Sequence, residues 1–147
     1  MRTSIQAEWR IDPEYTLLNL QAADVLREAG YQVNPTPPEI TLPDGGLFRP
    51  DLVAIDHQGV THFVEVERDV DKNLEQRQAK WRNFYQASGG RVFVMCDNRS
   101  CMRNIRSEIN YCLGNKPLVV SLTNLADLQT GKRGEAESVW LEARTRG

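Results

Sequence analysis

Residues 49 to 69 read RPDLVAIDHQGVTHFVEVERD, and the fold is decided in this stretch. Two short apolar-rich runs, residues 51 to 55 and 61 to 67, flank Asp56-His57-Gln58-Gly59-Val60. A Gly-containing loop of that length between two such runs predicts a β-hairpin. Side chains alternate along a strand, so Phe63, Glu65 and Glu67 share one face while Val64 and Val66 share the other. With Ile55 paired to Thr61, Val53 faces Phe63 and Asp51 faces Glu65. Directly opposed Cβ atoms lie roughly 5 Å apart. Asp51, Glu65 and Glu67 then bring three carboxylates to one end of a sheet.

Working outward, residues 16 to 29 place Leu18, Ala22, Val25, Leu26 and Ala29 on one helical face, with Gly30 as the stop. Residues 31 to 33 read as extended. Residues 34 to 50 hold five of the seven prolines and read as an irregular excursion with a short strand at 39 to 42. After the hairpin, residues 71 to 87 are predicted helical, with Leu74, Trp81 and Tyr85 on the inner side and Phe84 facing out. Residues 91 to 96 form a buried strand. Asn98 caps a helix to about Cys112 with a stripe of Cys101, Ile105, Ile109 and Cys112. A strand at 118 to 122, a short helix at 125 to 128, a polar connection and an apolar piece at 139 to 141 complete the chain. This order predicts an α/β fold, a mixed sheet flanked by helices, with a right-handed crossover over residues 61 to 96.

The whole chain, residues 1 to 147, reads as one domain. Three cysteines without a C-x-x-C pair or zinc spacing suit reduced packing thiols and a cytoplasmic protein. No apolar run approaches 18 residues and the first residues lack a signal-peptide centre, so neither a membrane span nor secretion is expected. No G-x-G-x-x-G or G-x-x-x-x-G-K-[ST] occurs, which leaves dinucleotide and NTP sites unsupported. The net charge of -2 gives no global positive field, so nucleic-acid binding would need a local patch.

Three carboxylates so close repel one another unless protons or a cation lie between them. A hard divalent ion such as Mg²⁺ takes oxygen ligands, commonly one or two carboxylates plus water and phosphate. Such a centre suits phosphodiester hydrolysis. The plainer alternative is a solvated strand end, with Glu65, Glu67 and Asp69 paired to Arg49, Arg68 or Lys72 and Asp51 capping a turn.

These residues resemble the PD-(D/E)XK nuclease superfamily. Pro50-Asp51 matches the first half of its pattern and Glu65-Val66-Glu67 the second, with Glu67 where the family has Lys. The element order is similar to the family's restriction-endonuclease-like α-β-β-β-α-β core. FVEVERD and the helix bearing Lys80, Trp81 and Tyr85 look most like the nuclease-like part of replication-relaxation proteins of mobile elements. The resemblance implies Mg²⁺- or Mn²⁺-dependent DNA cleavage, with Asp51, Glu65 and the backbone carbonyl of Val66 as metal ligands. Glu67 is then expected to act on water or a second metal, and the amine to come from the following helix, from Lys80 rather than Lys72. Relatives carry a Glu on the first helix, and Gln21 occupies that position here. A catalytically silent nuclease-fold domain binding DNA or a protein partner is the alternative.

Arg99, Arg103 and Arg106 form a stripe on the helix after Asn98 that suits DNA phosphates or a solvated face. Gln76 and Lys80, at i and i+4, either lie over the metal site or form a surface pair. His57 and His62 fall in the loop and on the face away from Glu65, so no His-based site is expected. Small size and slight negative charge lead to the expectation of a homodimer or a larger protein context.

Overall fold

The structure, a computed structural model, describes residues 13–68 and 73–147. Helix α1 (Pro13–Glu28) buries Leu18, Ala22, Ala23 and Leu26. It stops where Gly30, at φ 99°, turns the chain and the Tyr31 amide donates back to the Leu26 carbonyl at 3.0 Å. Strand β1 (Gln32–Asn34) follows, then a separate two-stranded ribbon, β2 (Ile40–Thr41) and β3 (Leu47–Phe48). The hairpin is β4 (Leu52–Ile55) and β5 (Thr61–Glu67). Next come α2 (Leu74–Ser88), β6 (Arg91–Cys96), α3 (Arg99–Leu113), β7 (Leu118–Asn124), α4 (Leu125–Gln129) and β8 (Glu142–Arg146).

Six strands form one mixed sheet in the order β1-β4-β5-β6-β7-β8. β5, β6 and β7 run parallel, and the remaining pairings are antiparallel. Helices α2 and α3 cover one face through Trp81, Phe84, Ile105 and Ile109. Helices α1 and α4 cover the other against Val64, Val66, Phe93 and Met95. The architecture is therefore mixed α/β, with a sheet flanked by helices.

The hairpin register is the one alternation predicts: Ile55 pairs Thr61 and Val53 pairs Phe63. Its loop closes on Asp56, whose Oδ1 accepts from the amides of Gln58 and Val60 at 2.9 Å, with Gly59 at φ 84°. Helices α2 and α3 each carry an asparagine cap, Asn73 accepting from the Gln76 amide and Asn98 from the Cys101 amide.

Several readings of the sequence need correction. Phe84 is fully buried and Leu74 is 56% exposed, because the inward stripe of α2 runs through 77, 80, 81 and 84 at helical spacing. Ala29 is exposed, since α1 ends before it. β3 escapes detection because two residues show no periodicity. β8 (EARTR) lacks an apolar alternation, being an exposed edge held by pairing to β7. The predicted beginning of α2 at 71–72, and with it Lys72 and Asp69, lies outside the described residues.

Candidate functional site

Asp51 stands one residue before β4, directly after the buried Pro50. Its backbone amide donates to Glu65 Oε1 at 3.3 Å, and its Oδ2 accepts from the Val66 amide at 2.8 Å. Side-chain carboxylates thus continue the ladder where the β4 backbone leaves it. Asp51 Oδ1 accepts from the hydroxyl of Tyr15, in the first turns of α1.

Glu65 and Glu67 are only 3% and 4% exposed, which dismisses the solvated strand end. Buried carboxylates require partners, and α2 supplies them. Lys80 Nζ lies 2.7 Å from Glu65 Oε2 and 2.5 Å from Glu67 Oε2. Arg77, one turn earlier, donates to Glu67 Oε1 at 2.9 Å and through Nε to Glu108 Oε1 at 2.9 Å. The Trp81 indole donates to the same Glu108 oxygen at 2.7 Å. Residues 77, 80 and 81 fall on one side of α2 by their i, i+3, i+4 spacing.

The charges respond to this enclosure. Burial pushes the Glu65 carboxyl up to about 8 against the pull of Lys80, with Asp51 adding to the rise. Burial likewise raises Asp51, although Lys80, Tyr15 and the Val66 amide oppose it. At Glu67 burial is outweighed by Lys80 and Arg77, and its carboxyl lies below the usual range. Burial disfavours charge on Lys80, yet Glu65, Glu67 and Asp51 hold its ammonium above the ordinary lysine value. Burial and the Asp51 charge raise the Tyr15 phenol, which is a neutral donor.

The Val66 carbonyl belongs to the same place. The Glu67 carbonyl accepts from the Asp97 amide at 3.1 Å, on the β6 side. Successive carbonyls leave a strand on opposite edges, so that of Val66 is directed toward the β4 edge, where Asp51 ends the ladder. Two carboxylates and one amide carbonyl make an all-oxygen donor set, the chemistry a magnesium-type ion prefers. Among the described residues no cluster of three His, Cys, Asp or Glu side chains converges in ligating geometry. Any fit to such an ion would rest on Asp51, Glu65 and the Val66 carbonyl.

An opening of about 450 Å³ leads to these groups, and Gln76 and Lys80 both line it. Gln21 does not join them. It is exposed on α1, and Tyr15 is the α1 residue that reaches Asp51. The α3 stripe is largely neutralised: Arg99 donates from Nε and Nη2 to Asp127 at 3.1 Å, and Arg106 is paired to Glu142. Arg103 is exposed. His62 is buried on the far face with Nε2 3.0 Å from Asp56, and Cys96, Cys101 and Cys112 are free thiols. Tyr15, Arg77 and Glu108 escape the sequence reading. Only Arg77 left a signal there, its spacing from Lys80 and Trp81.

No protein-family model, curated protein or solved structure matches this chain. No described helix is long and apolar enough to cross a membrane.

Proposed function

We propose that this chain is a divalent-metal-dependent endonuclease that hydrolyses DNA phosphodiester bonds on a restriction-endonuclease-like fold of the PD-(D/E)XK kind. The observation that carries the reading is the meeting of Lys80 with Glu65 and Glu67 beside Asp51. The order α1-β1-β4-β5-α2-β6 supports it as an α-β-β-β-α-β core, with the β2–β3 ribbon inserted.

Asp51, Glu65 and the Val66 carbonyl hold the ion, Mg²⁺ or Mn²⁺. A bound ion of this kind polarises the phosphoryl oxygens and lowers the pKa of a water. Lys80 stays protonated and presents its ammonium to negative charge developing on the phosphate, the work of a preorganised donor. Glu67 has both oxygens engaged by Arg77 and Lys80. Its role is therefore to place the amine rather than to act on water or a second metal. A homodimer or larger protein context remains part of this proposal, since the chain's net charge of -2 gives DNA no general attraction.

One observation favours a second reading, a catalytically silent domain that binds DNA or a protein. Each oxygen of Asp51 and Glu65 already meets a donor from the protein: Tyr15, the Val66 and Asp51 amides, and Lys80. The deciding experiment is cleavage of supercoiled, linear and single-stranded DNA in Mg²⁺ and Mn²⁺, beside Asp51→Ala and Glu65→Ala. Metal-dependent cutting that both substitutions abolish establishes the nuclease. No cutting, with melting unchanged by metal, selects the silent domain.

A further inference from the structure

A phosphate chain approaching three carboxylates needs a cation at the entrance, and the inner cations are engaged. Lys80 lies between Glu65 and Glu67, and Arg77 between Glu67 and Glu108. On α3, Arg99 and Arg106 are held by Asp127 and Glu142. Arg49 differs. It lines the same opening as Asp51, Glu65 and Lys80, is exposed, and has no ion pair among the described residues.

Its base is rigid although its head is free. Pro50 is buried and confines the preceding residue to extended backbone. On the other side, Phe48 packs against Phe63 and Phe84, with ring centroids 6.0 and 5.2 Å apart. Asn83 of α2 ties the β3 backbone by donating to the Leu47 carbonyl at 3.4 Å. Arg49 and Asp51 are two residues apart, at most about 7 Å along the backbone, comparable to the separation of successive phosphates on one strand. A planar guanidinium with five donors is well suited to phosphate oxygens.

We infer that Arg49 binds the phosphate backbone of the DNA strand, beside the phosphate that lies over Asp51 and Glu65. The identity of the ligand rests on the nuclease reading, but the test separates the two. Binding of a fluorescein-labelled DNA oligonucleotide, single-stranded and duplex, is followed by anisotropy across a salt series in Mg²⁺. The full chain carries Asp51→Asn to prevent cutting. Adding Arg49→Gln is expected to weaken binding roughly tenfold, the size of one charge-assisted contact, and to reduce the salt slope by about 1. Arg49→Lys should recover much of the loss, and Arg144→Gln, at an exposed arginine of β8, should change little.

Unchanged affinity and slope in Arg49→Gln, an equal loss in Arg144→Gln, or no DNA binding by the parent each overturn the inference. Cleavage by the chain with native Asp51 runs in parallel. Cutting together with Arg49-independent binding removes the inference and leaves the nuclease standing. Arg49-dependent binding without any cutting does the reverse.

Discussion

Lys80 Nζ lies 2.5 Å from Glu67 Oε2, an ion pair that ties the middle of α2 to the last residue of β5. On the proposed PD-(D/E)XK reading, the strand carries an acid where the pattern has a lysine, and α2 would supply the amine instead. The acid is what fixes that amine. With Arg77 on its other oxygen, Glu67 has both sides occupied and projects its partner onto Glu65. On that proposed reading, the departure at residue 67 acquires a physical role through its contacts with α2.

Removing that anchor should be costly. Glu67→Gln leaves Lys80 and Arg77 together in a largely buried site without the shared anion. Because Lys80 keeps Glu65 and Arg77 keeps Glu108 as partners, the cost is that of the lost charge-assisted hydrogen bonds, about 1.5–3 kcal/mol. Urea denaturation should show a loss of that order, and a change below about 1 kcal/mol would contradict the anchoring role.

The amine itself should matter to rate more than to substrate affinity. Lys80→Gln is expected to lower kcat by about 10²-fold, the scale of losing one preorganised electrostatic donor, with KM little changed. Glu67→Lys combined with Lys80→Gln returns the amine to the strand and should restore part of the rate. Single-turnover cleavage of these three proteins checks both statements.

Without metal, stability should fall as pH rises. Burial holds the folded Glu65 carboxyl up at about 8, above the ordinary 4.5 of the unfolded chain. The protonated group therefore binds its proton more tightly in the native state. Its stabilising effect is complete below about pH 4.5 and is lost as pH rises through 8. In EDTA, the difference in Tm between the native chain and Glu65→Gln should shift against the native chain between pH 5 and 9. A pH-independent difference would sink the assignment.

Divalent cation should counter that loss, because a ligand binding only the folded form stabilises it. At about one hundred times its Kd, Mg²⁺ adds about 2.7 kcal/mol. Its affinity should rise toward pH 8 as the ion displaces the Glu65 proton. Differential scanning calorimetry with and without Mg²⁺ tests this. Asp51→Ala and Glu65→Ala should each erase the increment, and EDTA should abolish cleavage.

Trp81 should contribute through both its ring and its indole N–H. It is fully buried and donates to Glu108. Trp81→Ala should cost about 3–5 kcal/mol through the cavity it leaves. Trp81→Phe keeps most of the packing and should cost less. Chemical denaturation of both variants separates the two contributions.

The sequence by itself determined the hairpin register and with it the acidic cluster. Alternation over 61–67 and the Asp56–Gly59 turn are local, and a period of two leaves one register that buries Val64 and Val66. The bounds of β5 and β6 and the Asn98 cap also needed only neighbouring residues or helical spacing. What joins the cluster was decided by tertiary structure. Tyr15 reaches Asp51 across 36 residues and Arg77 reaches Glu108 across 31. No local period encodes where α1 and α2 cross the end of the sheet. The same holds for β8, whose polar residues become a strand only because β7 offers them an open edge. The depth of Glu65 and Glu67 likewise follows from α2 lying over β5, which turns a pattern of acids into a buried, ion-paired site.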